Sequence, residues 1–431
     1  MKWLVLTLLV AAPGFADEGL SLDEALASAM EQVPALKAAR AQETAAQARA
    51  RESFAALLPQ VSLGLAYSRS TANFVARPGA LPSSLAGASS LSLDSFDFFT
   101  GNVTAQMMVW DFFTTWNRHQ AAKRSADGQA AQTRSLELTT ALNVRTSYFA
   151  ARAQDELVAV AQASLDNTRA HLNQIQAFVS AGARPEIDVA QSRAEVANAK
   201  LALVNAKNAA ALARARLAQT MGVKGPVREG LLDGPPGPTA GEEAALDTLV
   251  AEALRARPES AQLEAQVQAQ ELSLAAVKGT YWPTLSAQLS ANAQARQLNT
   301  VVPNVSGQLA LSWQLYQGGS TQAQQAEAEA TLAAVKAQVD TLAQQVRLDV
   351  EQAQLDVLAS KEAVEVSNEA KAAAAERLRL AEGRYQAGAG SVIELSDAQV
   401  AFTQAGAQAA QATFTLASSR ARLVAALGRE R

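Results

Sequence analysis

Residues 57–65 read LLPQVSLGL and residues 281–289 read YWPTLSAQL. Each sets a proline after two bulky residues and then alternates apolar with small or polar side chains, the period of a half-buried strand. The offset between them is 224 residues, and the pair Val33-Pro34 recurs at that offset as Arg257-Pro258. Further along the offset becomes 206. AGARPEIDV at 181–189 parallels AGAGSVIEL at 387–395, and RLAQTMG at 216–222 parallels RLVAALG at 422–428. The chain is therefore two copies of one pattern, which fixes its architecture before any motif is considered. Most of the 18-residue change is absorbed between residues 68 and 102, where NFVARPGALPSSLAGASSLSLDS reads as a longer loop than its counterpart around 299–304.

The helical frame repeats as well. Val189, Val196, Leu203, Ala210 and Leu217 recur every seventh residue, and 206 positions on stand Leu395, Phe402, Ala409, Leu416 and Leu423. Three residues after the first four lie Ser192, Ala199, Ala206 and Ala213, so large knobs alternate with small residues that let helices approach closely. Leu332, Val335, Val339, Leu342 and Val346 show the same spacing of 3 and 4 on an earlier limb. These are packing seams. Residues 121–179 hold no proline and only Gly128, and residues 321–386 no proline and only Gly383. At about 1.5 Å per residue each limb reaches roughly 90–100 Å, about three times a bilayer core. Each ends at an Ala-Gly turn, Ala181-Gly182 or Ala387-Gly388, from which a second helix returns. Between the copies, Pro226, Pro235, Pro236 and Pro238 mark a wrapped linker.

Four segments alternate with period two. Val61, Leu63, Leu65 and Tyr67 open the first; Leu285, Ala287, Leu289 and Ala291 its repeat. Val103, Ala105, Met107 and Val109 form the third, and Leu309, Leu311, Trp313 and Leu315 the fourth. Each is about 10 residues, enough to cross a bilayer as a tilted strand. Thirteen of the 22 aromatic residues fall within 58–117 and 281–316. Tyr67, Phe96, Phe98, Phe99, Trp110, Phe112, Phe113, Trp116 and Trp313 are candidates for a membrane-interface girdle, since amphipathic rings favour the headgroup level; the core of a small soluble sheet is the other reading. Spanning barrels need at least about eight strands, so a membrane role requires several chains to share one barrel.

Composition narrows the function. Alanine accounts for 97 of 431 residues, which suits long helices in close contact. A net charge of −4 gives no counterion-release footprint for nucleic acid. Zero cysteines exclude disulfides, thiol catalysis and thiolate metal sites, and only His119 and His171 could supply imidazole. Neither histidine has a partner at metal or triad spacing, and no phosphate-binding glycine loop, HExxH or GxSxG occurs. We expect no enzyme, cofactor or metal site. Residues 1–16, MKWLVLTLLVAAPGFA, read as a signal peptide cut after Ala16, and no later segment approaches about 18 continuous apolar residues. The expected organisation is a leader (1–16), a first repeat (17–222, strand pair about 59–113), a Pro/Gly-rich linker (223–244) and a second repeat (245–431, strand pair about 283–316).

Together the leader, the Pro-bearing start of each repeat, the strands LPQVSLGLAYS with VTAQMMVWDFF and WPTLSAQLSAN with LALSWQLYQGG, and the tips FVSAGARPEIDVAQSRAEV and YQAGAGSVIELSDAQVAF resemble the TolC-type outer-membrane efflux factors. The resemblance covers nearly all of the chain beyond the leader. It implies a mainly α fold with short membrane strands: a homotrimer whose duplicated hairpins form an α-barrel tunnel through the periplasm, continuous with a shared 12-stranded β-barrel among outer-membrane lipid. The implied function is the exit duct of a tripartite efflux or type I secretion system, docked to a periplasmic adaptor and an inner-membrane transporter. The resemblance places a channel constriction at Glu394 and Asp397, three residues apart on one helical face, which a trimer would stack as two cation-favouring rings. Asp188 and Gln191 hold the equivalent first-repeat places. Gly182, Arg184, Asp188, Gly388 and Gly390 make the tip turns and candidate adaptor-docking positions. Where the family commonly carries a basic latch residue this chain has Gly390, and Arg184, at the equivalent place in the first tip, is the candidate replacement. The competing readings are a periplasmic coiled-coil adaptor and a soluble coiled-coil scaffold; an adaptor would present one hairpin, and a scaffold leaves the alternating strands unused.

Overall fold

A computed structural model of the chain describes residues 19–71, 95–295, 297 and 300–429, without the side chain of Phe96. The expected leader and residues 72–94 of the long loop lie outside the described residues. Each repeat runs helix, helix, strand, strand, long helix, returning helix. The first comprises α1 (Leu22–Gln32), α2 (Pro34–Ala55), β1 (Gln60–Thr71), β2 (Ser95–Trp110), α3 (Thr114–Ser180) and α4 (Glu186–Met221). The second comprises α5 (Leu246–Ala256), α6 (Pro258–Gly279), β3 (Thr284–Ala295), β4 (Val302–Ser312), α7 (Ser320–Gln386) and α8 (Val392–Ala426). Pro34 and Pro258 open α2 and α6, where a missing N–H costs nothing. Both long helices have 67 residues, about 100 Å at 1.5 Å per residue.

The elements group into two compact units, Met1–Gln42 with Ala130–Gln262 and Val339–Arg431, and Glu43–Gln129 with Leu263–Gln338. In the first unit the two repeats bury equivalent positions. Ala29, Val144 and Leu217 are sealed in one core, and Ala253, Val350 and Leu423 in another. The expected seven-residue stripe is the buried edge of α4 and α8: Val196, Leu203, Ala210 and Leu217 on one, Leu395, Ala409 and Leu423 on the other. Gly222 and Gly428 close these cores with φ of 73° each. A Cβ on Gly222 would stand 2.9 Å from the Val33 Cα, and one on Gly428 2.9 Å from the Ala256 carbonyl carbon. Both glycines are thus required twice over, by the left-handed turn and by the backbone behind it.

The linker after α4 is pinned at two points. The Tyr148 hydroxyl donates to the Leu20 carbonyl (2.9 Å) and accepts from the Asp233 N–H (3.0 Å), holding the bridge between Leu20 and Leu231. At the equivalent place in the second repeat, the Gln354 amide donates to the Ala244 carbonyl at 2.9 Å. Between these anchors the carboxylate of Glu242, 4% exposed, meets Lys361 at 2.7 Å and Arg420 at 3.2 Å. Burial pushes its pKa up, but the hydrogen bonds from Lys361, the Thr239 N–H and Arg420 outweigh burial and hold it below the ordinary value.

The second unit carries one antiparallel sheet in the order β1-β2-β3-β4. Two strand boundaries correct the sequence reading. β2 starts at Ser95, ahead of the expected alternation from Val103, and its Ser95–Gly101 pairs with Leu65–Thr71. β4 covers Val302–Ser312, beginning before the expected alternation and ending before Trp313 and Leu315. Its first half has weak alternation of its own and is held by register against Ala291–Gln294. Beyond its end the Trp313 indole N–H donates to the Tyr281 carbonyl at 3.1 Å, which turns the chain out of the sheet.

Candidate functional site

In an antiparallel ladder residues directly opposite share a face, and here the register sorts the middle of the sheet into an apolar and a polar side. One face stacks Val61, Ala105, Leu289 and Gly307 in a row, then Leu63, Val103, Ala291 and Val305, then Leu65, Gly101, Ala293 and Pro303. The opposite face stacks Gln60, Gln106, Gln288 and Gln308; Ser62, Thr104, Ser290 and Ser306; and Gly64, Asn102, Asn292 and Asn304. The apolar row is open to its surroundings, with Leu65 77% and Leu309 73% exposed. A register shift between Met108 and Trp110 leaves Val109 unpaired and brings Trp110 opposite Leu285, in the apolar face rather than the polar one.

The aromatic candidates divide by this register. Tyr67 pairs with Phe99 on the apolar face at the far end, their rings 5.1 Å apart. Phe98 and Phe96 stand opposite Ser68 and Ser70, on the polar-face rows. At the helical end Trp110 meets Phe113 at 5.0 Å and Phe112 at 5.9 Å, and Phe112 stacks on Trp282 at 5.1 Å. Trp116 lies in the first turn of α3 and faces His119. His119 Nδ1 contacts the Ser53 hydroxyl at 3.0 Å and the Ala50 carbonyl at 3.1 Å, a structural placement.

At the other candidate site the two hairpin tips meet within the first unit. Both turns have the same backbone: the Ala183 N–H donates to the Phe178 carbonyl and the Ala389 N–H to the Arg384 carbonyl, 2.9 Å each, with Gly182 and Gly388 at φ 71° and 76°. Ser391 then caps α8, its hydroxyl accepting from the Glu394 N–H at 3.1 Å, whereas Pro185 precedes α4 without a side-chain cap. Glu394 is half-exposed and faces Arg384 at 3.5 Å. Asp397 is exposed one turn on and has no ion-pair partner among the described residues. Leu395 and Ala398, on the other side of the same helix, join Ile175, Leu378 and Tyr385 in a buried cluster.

Arg184 connects the tips. One guanidinium nitrogen donates to the Tyr385 and Gly390 carbonyls, 3.3 Å each, and the guanidinium carbon sits 4.6 Å from the Tyr385 ring centroid. Gly390, the repeat equivalent of Arg184, is a tight place for a side chain: a Cβ there would stand 3.0 Å from the Tyr385 nitrogen. Tyr385 is 2% exposed and its phenol is pushed up by burial, with Arg184 lowering and Asp188 raising it. Asp188 is itself buried at 9% exposure, unlike Glu394 and Asp397. The sequence reading missed Tyr385, because an aromatic before a turn carries no signal of what a second tip places over it. It also missed the contact of His171 with Glu382 at 3.5 Å between α3 and α7. Among the described residues no helix is long and apolar enough to cross a membrane, and no cluster of three metal-ligating side chains occurs.

A family model described as outer membrane efflux protein matches residues 25–223 and 249–429. The pyoverdine export outer membrane protein OpmQ of Pseudomonas putida is 29% identical over 176 residues, 41% of this chain and 36% of that protein's length. The solved structure of CusC superposes with a TM-score of 0.82 at 16% identity, covering 95% of this chain and 92% of that one. The outer membrane protein VceC of Vibrio cholerae gives 0.80 at 17% identity, covering 95% and 96%. At these identities the structural likeness is one of fold.

Proposed function

Because the chain belongs to the outer membrane efflux protein family, we propose that it is the outer-membrane exit duct of a tripartite efflux or type I secretion assembly, a passive conduit gated at its helical tips. The sorted sheet carries this reading. Strands of 11 to 16 residues are long enough to span, one face is apolar and the other polar, as lipid and a water-filled lumen require. Aromatic clusters at both ends of the apolar band support the girdle, with Phe98 on the inward side of it.

Four strands leave β1 and β4 as open edges of opposite direction. Edge-to-edge joining of three copies closes them antiparallel into a barrel of twelve, which removes every edge. The homotrimer then brings three copies of Glu394 and Asp397 together as the constriction. The tip turns at Gly182 and Gly388, with Arg184, Asp188 and Gly390, are the docking end for a periplasmic adaptor, beyond which an inner-membrane transporter supplies the energy. Arg184 serves as the latch that Gly390 cannot be. The adaptor and scaffold readings gain no support, since the family model spans both repeats and the sheet is built for a bilayer.

The test is planar-bilayer conductance of the purified oligomer. Wild type should form discrete cation-selective channels, and Glu394→Ala with Asp397→Ala should raise conductance and weaken cation preference. Arg184→Ala should raise the open fraction several-fold; unchanged gating would refute the latch. A soluble monomer without channel activity would refute the duct.

A further inference from the structure

The polar face of the sheet carries no charge among the described residues. Its middle rows are glutamine, hydroxyl and asparagine, with Gly64 interrupting the last, and the rows on either side, Met108-Ser286-Ala310 and Ala66-Thr100-Gln294-Val302, are mixed but also uncharged. Gly64 is covered: a Cβ there would meet the Asn102 side-chain oxygen, so that amide lies across the gap. Ser290 and Ser306 bond to each other across β3 and β4 at 2.8 Å, hydroxyl to hydroxyl. The only charged residues of the four strands, Arg69 and Asp97, stand opposite each other on the other face, 3.8 Å apart at the far rim. A charge in a narrow, water-filled lumen between low-dielectric walls acts on every passing ion; in these strands the lumen side has none.

We propose that the barrel wall is an uncharged hydrogen-bonding surface that does not sort cargo by charge, so that its described strands leave charge selection to other parts of the duct. The proposal rests on the exit-duct reading above. In the closed trimer the glutamine, hydroxyl and asparagine rows recur three times around the wall, staggered by the tilt of the strands. Such rows offer both donors and acceptors to anions, cations and neutral polar molecules alike. Asn292 stands at the centre of this face and is the position that reads it.

The absence of cysteine makes the test clean. Asn292→Cys is introduced into the full chain, and the oligomer in a planar bilayer is treated from the barrel side with a cationic and an anionic methanethiosulfonate reagent. Rates are normalised to a free thiol. Conductance should fall with both reagents at rates within about threefold of each other, whereas Leu289→Cys on the apolar face should react with neither. A preference beyond about tenfold for one sign, the focusing expected of a charged cleft, would overturn the proposal; so would reaction at Leu289→Cys with Asn292→Cys untouched. Ser290→Cys, one row away on the same face, repeats the measurement if Asn292→Cys fails to assemble. Wild-type oligomers that form no channel would instead refute the duct itself.

Discussion

The two strand-to-helix elbows reach one backbone conformation by opposite means. After β2 the chain turns through Asp111-Phe112-Phe113-Thr114 with φ of 53° and 64° at the phenylalanines, and after β4 through Gln317-Gly318-Gly319-Ser320 with φ of 63° and 85° at the glycines. Glycine enters the left-handed region freely, while other residues lose roughly 1–2 kcal/mol each. The first repeat accepts that strain and offsets it. Phe112 stacks on Trp282, Phe113 packs edge-on against Trp110, and the Asp111 carboxylate accepts from the Thr115 N–H at 2.7 Å. Around Gly318 and Gly319 there is open space. The geometry is demanded by the repeat, and a cluster of packed aromatic rings is what one copy adds to it.

The largest effect should come where the two repeats are alike. Gly222→Ala and Gly428→Ala each place a methyl group on a left-handed residue and against a neighbouring backbone, so each should lower stability by about 2–4 kcal/mol. Denaturant unfolding of the two variants should show matching losses; a loss confined to one repeat would break the equivalence. A smaller, asymmetric effect is expected at the elbows. Gly318→Ala should cost about 1–2 kcal/mol, whereas Phe113→Gly should be nearer neutral, because relief of strain offsets about 0.5–1.5 kcal/mol of lost aromatic pairing. If Phe113→Gly proves the worse of the two, the strain at this elbow is not real. The smallest effect belongs to the linker. Since the Glu242 pKa is held down in the folded state, its contribution is fully present above the ordinary carboxylate range and is lost as pH falls through the depressed value. Unfolding followed from pH 6 downward should show an acid limb that flattens in Glu242→Gln.

Much of this fold was legible in the sequence. The buried stripes of α4 and α8 follow their heptads, and both turns stand at the Ala-Gly pairs. The starts of β2 and β4 were not legible. Residues 95–101 read SFDFFTG and residues 302–306 read VPNVS, without clean alternation, and they are strands because a partner holds them. The tip positions could be named from the repeat, but not the reach of Arg184 over Tyr385, since those residues are 201 positions apart.

The sequence by itself determined the duplication, the long helices and the alternating strands, because each is written in a local period that the backbone must obey. Only the tertiary structure decided which side chains share a face, how Trp110 crosses to the apolar side, that Phe98 falls on the polar-face rows, and that one tip bonds to the other. Those outcomes depend on register and on contacts between distant segments, and no local period encodes them.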